Sequence, residues 1–235
     1  MASFARIASL VALALAVLGL IGANRGIVAP LVGFQLCIGG ALLGGLVSVI
    51  LSLVAIVRTR GSRDPRDRQS AWLGLAIGLG LVLAVLAAAT TGGDAPPIND
   101  VTTDLEDPPA FAPASAVAAY AGRDMSYPPD FVAIVRESYP DLKPRVVAGP
   151  VAETYARALA TAESLGWTIS ARDEAAHTFD AQDTTALFRF VDDVTVRVRE
   201  EGSGARIDVR SKSRDGRGDL GANAKRIERF LAAMS

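Results

Sequence analysis

Three apolar stretches occupy most of the first 89 residues, and they constrain the fold more than any other feature of the chain. They cover residues 7–23, 27–57 and 71–89. A helix needs about 20 mostly apolar residues to cross the hydrocarbon core of a bilayer, and each stretch approaches or exceeds that length. The sequence therefore predicts that residues 1–92 form a membrane anchor of three helices, with the lipid bilayer as its partner.

The charges between these stretches predict their orientation. The turn after the second stretch holds five arginines within residues 58–68, whereas the turn after the first holds only Arg25. Because Arg and Lys near span ends remain on the cytoplasmic side, the N-terminus is expected in the cytoplasm and the C-terminal domain outside it. This arrangement fits a multi-pass protein of the bacterial inner membrane with a periplasmic domain. If residues 7–23 are instead a cleaved signal peptide, the domain lies on the same side.

The remainder of the chain is acidic but ends in a basic segment. Residues 93–235 hold 17 basic and 23 acidic residues, although residues 206–235 alone hold eight basic and four acidic ones. Nucleic-acid-binding domains favour broad positive surfaces, so no nucleic-acid partner is expected. Cys37 is the single cysteine, which excludes an intramolecular disulfide, and no zinc-ligand spacing occurs. Neither a metal nor a cofactor is predicted.

Proline content and side-chain alternation divide residues 93–235 into two segments. Ten of the twelve prolines lie within residues 94–150, where long helices and central strands are therefore not expected. Residues 93–148 are predicted to wrap along the domain, with one short helix at 131–138. Residues 149–235 are predicted to form its core in the order helix, about four antiparallel strands, helix. This order is typical of an α+β fold in which helices pack on one face of an antiparallel sheet.

Two details of this assignment rest on short patterns. Phe188 and Phe190 alternate with Leu187 and Arg189, which indicates a strand. A final helix is predicted over residues 219–234, with Leu220 and Ile227 on its apolar face.

Residues 210–223 form the most unusual stretch of the domain. In the last predicted strand, small polar residues occupy inward positions at which alternating side chains would be apolar. Basic residues and glycines then lead into the final helix. The free N–H groups at the start of a helix favour an anion. The candidate anion-binding residues are Arg210, Ser211, Lys212, Ser213, Arg214, Gly216 and Asn223. The alternative is that this stretch is purely structural and that its arginines pair with carboxylates of neighbouring elements. The candidates for such structural ion pairing are Arg189, Asp192, Asp193 and Asp219.

Three motifs in the C-terminal domain are long and specific. They are Asn99-Asp-Val-Thr-Thr-Asp104, Phe188-Arg-Phe-Val-Asp-Asp-Val194 and Arg210-Ser-Lys-Ser-Arg-Asp-Gly-Arg-Gly-Asp-Leu-Gly-Ala-Asn223. Through them the chain resembles the domain-of-unknown-function family 1499, found in bacteria and plastids, over residues 98–232. Many members carry a cysteine near the first motif, where this sequence has Asn99-Asp100-Val101. The resemblance implies a coherent fold and no established activity.

These features favour a non-enzymatic envelope protein over two alternatives. The predicted function is a membrane-anchored binding or accessory module that binds an envelope protein or an anionic envelope component through residues 210–223. The enzymatic alternative is a hydrolase that uses Asp192, Asp193 or His177, with Arg214 holding an anion. Asp192 and Asp193 are adjacent and point to opposite faces of a strand, which does not suit a paired-carboxylate site. The third alternative is a purely structural scaffold.

Overall fold

The computed structural model describes residues 2–61, 64–90 and 93–234, which form two compact units. The first comprises Met1–Gly92 together with Thr185–Arg189, and the second comprises Gly93–Thr184 and Phe190–Ser235. Arg63 of the arginine-rich turn lies outside the described residues.

The first unit contains three helices that are long and apolar enough to cross a membrane, as the sequence predicts. They are α1 (Ala2–Asn24), α2 (Pro30–Arg58) and α3 (Pro65–Ala89). Helix α2 includes a π-helical turn at Gly40–Gly44. Helix α3 begins at a proline, and the Asp64 carboxylate accepts a hydrogen bond from the backbone N–H of Arg66.

Small residues allow these helices to approach closely. A Cβ atom added at Gly78 would lie 2.8 Å from the carbonyl oxygen of Gly45. A Cβ atom added at Gly74 would lie 2.6 Å from the hydroxyl oxygen of Ser52. The glycines at four-residue spacing in α3 therefore serve helix packing within this chain.

The second unit is built on a six-stranded antiparallel sheet, which confirms the predicted α+β class. Its strands are β1 (Asp100–Thr102), β2 (Arg145–Ala148), β3 (Thr168–Asp173), β4 (Thr178–Thr184), β5 (Val191–Glu201) and β6 (Gly204–Ser213). The order is β1-β6-β5-β4-β3, and β2 pairs with β6 as well. The sheet has two strands more than expected, because the Pro-rich segment contributes the short strands β1 and β2.

Helices cover one face of this sheet. They are α4 (Phe131–Ser138), α5 (Val151–Ser164) and α6 (Ala222–Ala233). The buried core between helices and sheet includes Val196 of β5 and Ile207 of β6, and Trp167 stacks on Phe230 with ring centroids 5.0 Å apart. Helix α6 begins three residues later than predicted, because Leu220 adopts φ +54° and is 60% exposed.

The predicted strand around Phe188 and Phe190 is wrong. The chain turns between β4 and β5, where the backbone N–H of Arg189 donates to the carbonyl of Thr185 at 3.1 Å. Arg189 itself has φ +62°, a conformation that breaks an extended strand. Local turn geometry therefore overrides a short alternation of side chains.

The other face of the sheet is polar, and residues 103–127 cover it. We call these residues the wrap. Because successive side chains of a strand point to opposite faces, Thr195 and Arg210 lie on this polar face while the valines of β5 face the helices. The wrap is fixed there by hydrogen bonds, such as that from the backbone N–H of Ala112 to Asp180 at 2.8 Å.

Candidate functional site

Arg210 is the most deeply buried charged residue of the motif. Its guanidinium group binds both oxygens of Asp100, with Nε–Oδ1 at 2.9 Å and Nη2–Oδ2 at 2.7 Å. The Arg210 and Asp100 side chains are 2% and 0% exposed. The guanidinium also donates to backbone carbonyls of the wrap, namely those of Pro109, Met125 and Ser126, and it lies between the rings of Phe111 and Tyr127. Arg210 thus fastens the wrap to β6.

Asp100 carries a second cation. The ammonium group of Lys212 lies 3.0 Å from Oδ2 of Asp100, and the Lys212 side chain is 13% exposed. One buried carboxylate therefore contacts two cations and compensates only one of their charges. The uncompensated charge is assigned to Lys212, because its side chain is the one that reaches the surface.

Asp193 repeats this arrangement on the neighbouring strand. Nη2 of Arg214 lies 2.6 Å from Oδ1, and Nη1 of Arg123 lies 2.6 Å from Oδ2. The Asp193 side chain is fully buried, whereas both arginine side chains are 24% exposed. The hydrogen bond to Asp193 raises the pKa of Arg214, so the guanidinium remains charged.

These residues form one cluster, because the sheet register aligns Lys212 with Asp100 on one side and with Asp193 on the other. We call Arg123, Arg210, Lys212 and Arg214, with Asp100 and Asp193, the cationic cluster. It holds four cations and two carboxylates. Two further carboxylates, Asp124 and Asp215, interact electrostatically with the cluster, so that four carboxylates in total surround the four cations. Hydrogen bonds from Ser126 lower the pKa of Asp124 and keep it ionised.

The serines of the motif lie on the opposite face, beneath α6. The hydroxyl of Ser211 donates to Oδ1 of Asn223 at 2.6 Å, and Nδ2 of Asn223 donates to the hydroxyl oxygen of Ser213 at 3.0 Å. Arg226 of α6 joins this network and forms an ion pair with Asp192. Burial raises the pKa of Asp192, an effect that the charge of Arg226 opposes. The network ties α6 to the sheet and leaves these side chains far from the surface.

The remaining predicted residues have local roles. The carbonyl of Gly216, at φ +85°, accepts a hydrogen bond from Asn99 at 2.7 Å. The carboxylate of Asp219 accepts from the backbone N–H groups of Gly221 and Asn223 at the start of α6, both at 2.8 Å. Arg189 makes no ion pair with any residue that the structure describes.

A second ion-pair network holds the start of the wrap, and sequence reasoning missed it. Three arginines of β5 and β6 bind four carboxylates: Arg197, Arg199 and Arg206, with Asp104, Asp107, Glu201 and Asp208. Burial alone would raise the pKa of Asp104, but N–H groups of Asp107 and Glu106 and the charges of Arg206 and Arg199 lower it. The signal for this network was the acidic run at 100–107 together with alternate charged residues along β5 and β6.

Of the residues of the enzymatic alternative, the structure brings Arg214 and Asp193 together but keeps His177 apart from Asp192. His177 lies in the turn before β4. Asp192 of β5 is aligned in the sheet register with Asp183, which is at the other end of β4. The five residue steps from Thr178 to Asp183 along the strand span about 17 Å. Within residues 2–61, 64–90 and 93–234, no group of three His, Cys, Asp or Glu side chains could hold a metal ion.

Comparison with known families finds a match, which lies in the C-terminal domain. The family described as "Protein of unknown function (DUF1499)" matches residues 100–234, which run from β1 to the end of α6. The match covers more than half of the chain, so the chain belongs to this family. A search among curated proteins finds no match.

Proposed function

We propose that this DUF1499 protein is a non-catalytic envelope module whose three helices anchor it in the cytoplasmic membrane and whose C-terminal domain binds an anionic envelope component outside the cytoplasm. The single observation that carries the binding role is that two buried carboxylates hold four cations, of which Arg123 and Arg214 are partly exposed.

The location is supported by the helices and by the charges between them. Three helices are long and apolar enough to cross a membrane, and the turn between α2 and α3 is rich in arginine. Arginines near span ends resist export across a membrane, which favours a cytoplasmic position for that turn. Since α3 crosses the membrane once after that turn, the residues after α3 lie on the side opposite to the turn, outside the cytoplasm.

The cluster is suited to phosphate or carboxylate groups. Arg123 and Arg214 both bind Asp193 and are partly exposed, so each holds some N–H groups towards solvent. A guanidinium group presents five donors in a planar fork, and one carboxylate does not use all of them. The buried carboxylate keeps both arginines in place, which lowers the entropy that a ligand would otherwise lose in ordering them.

A polyanion titration tests this role. The probe is inorganic polyphosphate, and the protein is the full chain in nanodiscs of neutral phosphatidylcholine. We expect binding that weakens steeply as salt is added, because ion release accompanies contacts with a polyanion. The variant Arg123→Gln/Arg214→Gln should bind about tenfold more weakly. The arginine-rich turn also attracts polyanions, so the informative quantity is the difference between the variants.

Arg172→Gln is the matched control, because Arg172 forms an exposed ion pair with Glu163 outside the cluster. It removes one positive charge from the same domain and should leave the affinity unchanged. Equal polyphosphate affinity in the wild type and the Arg123/Arg214 double variant would refute the binding role.

A structural scaffold is the second candidate function, and the complete burial of Arg210 favours it. The guanidinium of Arg210 holds β1 through Asp100 and the wrap through Met125, so it contributes to stability whether or not a ligand binds. Measurements of melting temperature alongside affinity separate the two functions. A pure scaffold predicts lower melting temperatures in the cluster variants and no salt-dependent polyphosphate binding by the domain in any of them.

A further inference from the structure

A cleft of about 650 Å³ opens between the wrap and the strands β3 and β4. Its residues come from the wrap, from the β3–β4 hairpin and from β5: they include Phe111, Pro113, Ala116, Ala171, Asp180 and Arg197. This volume is within the range of sites that hold small organic ligands. No residue of the cationic cluster lines the cleft, so it is a separate feature of the domain.

Asp180 is the unusual group of this cleft. It is only 3% exposed, and Oδ2 accepts a hydrogen bond from the backbone N–H of Ala112 at 2.8 Å. Among the described residues, no Lys, Arg or His forms an ion pair with Asp180. Every other aspartate with a comparably buried side chain on this face, such as Asp193 or Asp208, binds at least one arginine.

The other charges of the cleft do not compensate Asp180. Arg172 pairs with Glu163, and Arg197 pairs with carboxylates of the second ion-pair network. Asp173 and Glu174 add negative charge at the rim. The cleft therefore carries an excess of negative charge, and its only deeply buried carboxyl lacks a cation.

Two buried hydroxyl groups, those of Tyr120 and Ser170, lie beside Asp180. Among the residues that the structure describes, neither hydroxyl completes a hydrogen bond of good geometry. Tyr120 lies next to both Asp180 and Ser170. Ser170 occupies an irregularity in the pairing of β3 with β4, which is a common way for a strand to redirect a side chain. Neither residue lines the cleft itself, so Asp180, which lacks a cation, is the buried polar group that a ligand in the cleft meets.

We propose that this cleft binds a small organic cation, namely a primary amine that carries an apolar group. An ammonium group in the cleft donates to Asp180, the deeply buried carboxylate among the residues that line it. The apolar part of the ligand packs against Phe111 and Pro113 at the cleft wall. An ion pair between the ligand ammonium group and Asp180 would neutralise the excess negative charge of the cleft, and it requires no change in the fold.

Saturation-transfer NMR on the full chain in phosphatidylcholine nanodiscs tests this site. The probes are 2-phenylethylamine and its neutral counterpart 2-phenylethanol. We expect saturable binding of the amine at millimolar concentrations and binding of the alcohol that is about tenfold weaker. Asp180→Asn keeps an acceptor for the Ala112 N–H group and should abolish the preference for the amine. Partition of the probes into lipid is the same for every variant.

Two further variants keep the result interpretable. Asp141→Asn removes an exposed carboxylate outside the cleft and should bind the amine as the wild type does. Ala116→Leu narrows the cleft at an exposed position, keeps all charges, and should weaken both probes. The proposal is refuted if the wild type binds amine and alcohol equally, if neither probe binds, or if Asp180→Asn retains the amine preference. The polyphosphate titration is independent of all these outcomes.

Discussion

Arg210 and Asp100 form a buried, two-pronged ion pair between residues 110 positions apart in the sequence. The pair joins the first strand of the domain to the last, and it lies under the wrap. Since breaking a buried pair leaves an uncompensated charge in a medium of low dielectric constant, its loss is far more costly than loss of a surface pair. The main structural role of Arg210 is therefore to join β6 to β1 through Asp100.

Arg210→Met should lower the free energy of unfolding of the C-terminal domain by about 3 kcal/mol, because Asp100 then keeps only Lys212. Thermal unfolding of the full chain in nanodiscs, followed by near-ultraviolet circular dichroism, measures the effect. The matched control is Arg172→Gln, which breaks an exposed ion pair and should cost less than about 1 kcal/mol. Equal melting temperatures for the wild type and Arg210→Met would contradict a structural role for the pair.

Asp180→Asn should stabilise the domain at neutral pH and raise its melting temperature by about 3 °C. Burial raises the pKa of Asp180 above the value of 3.8 that it has when unfolded, so ionised Asp180 destabilises the folded state. This cost is present above the folded pKa, decreases as pH falls through that pKa, and is absent below 3.8.

The measurement for this prediction is the difference in melting temperature between the wild type and Asp180→Asn as a function of pH. The difference should be positive at pH 7 and close to zero at pH 3. A variant that is less stable than the wild type at pH 7 would show that the Asp180 carboxylate is stabilising.

Asp124→Asn should strengthen polyphosphate binding about twofold, because Asp124 lies beside the cationic cluster and opposes its charge. The substitution preserves an acceptor for the hydrogen bonds from Ser126. Asp141→Asn changes the net charge of the domain equally but lies outside the cluster, and it should have no effect. Identical gains in both variants would mean that net charge alone, and not the cluster, governs binding.

Gly78→Ala should loosen the membrane anchor, because the added Cβ atom would lie 2.8 Å from the carbonyl oxygen of Gly45. Gly80 lies on the same helix, and a Cβ atom there meets nothing within 4 Å, so Gly80→Ala is the matched control. Resistance of the detergent-solubilised anchor to heating should fall for Gly78→Ala. It should be unchanged or slightly improved for Gly80→Ala, since alanine favours a helix more than glycine does. Equal behaviour of both variants would exclude close packing at Gly78.

Regular patterns in the sequence predicted most of the fold. The three apolar stretches correspond to α1, α2 and α3, and the predicted antiparallel strands of residues 149–235 correspond to β3, β4, β5 and β6. These elements are predictable because their signal repeats over many residues. The short alternation at Phe188 and Phe190 failed, because two residues do not outweigh the conformation of a turn. Strands β1 and β2 were missed because prolines surround them and each spans at most four residues.

The candidate site could be predicted only in part. The sequence identified Arg210, Lys212 and Arg214 as unusual, and it considered Asp193 as a partner. It did not identify Asp100 as the partner of Arg210, because ion pairs over such a sequence separation follow from strand order. Strand order is decided by the packing of the whole sheet. Asp180 was not predicted for a related reason. That it has no cationic partner can be seen only in the folded domain, where all the residues around it are known.

The central claim is that the three helices hold the C-terminal domain outside the cytoplasm. Labelling of single cysteines in intact spheroplasts with a membrane-impermeant maleimide tests it most directly. In a Cys37→Ala background, Asp141→Cys reports on the domain and Gly61→Cys reports on the arginine-rich turn. The account predicts that residue 141 is labelled in intact spheroplasts and that residue 61 is labelled only after their membrane is permeabilised. The reverse pattern would contradict it.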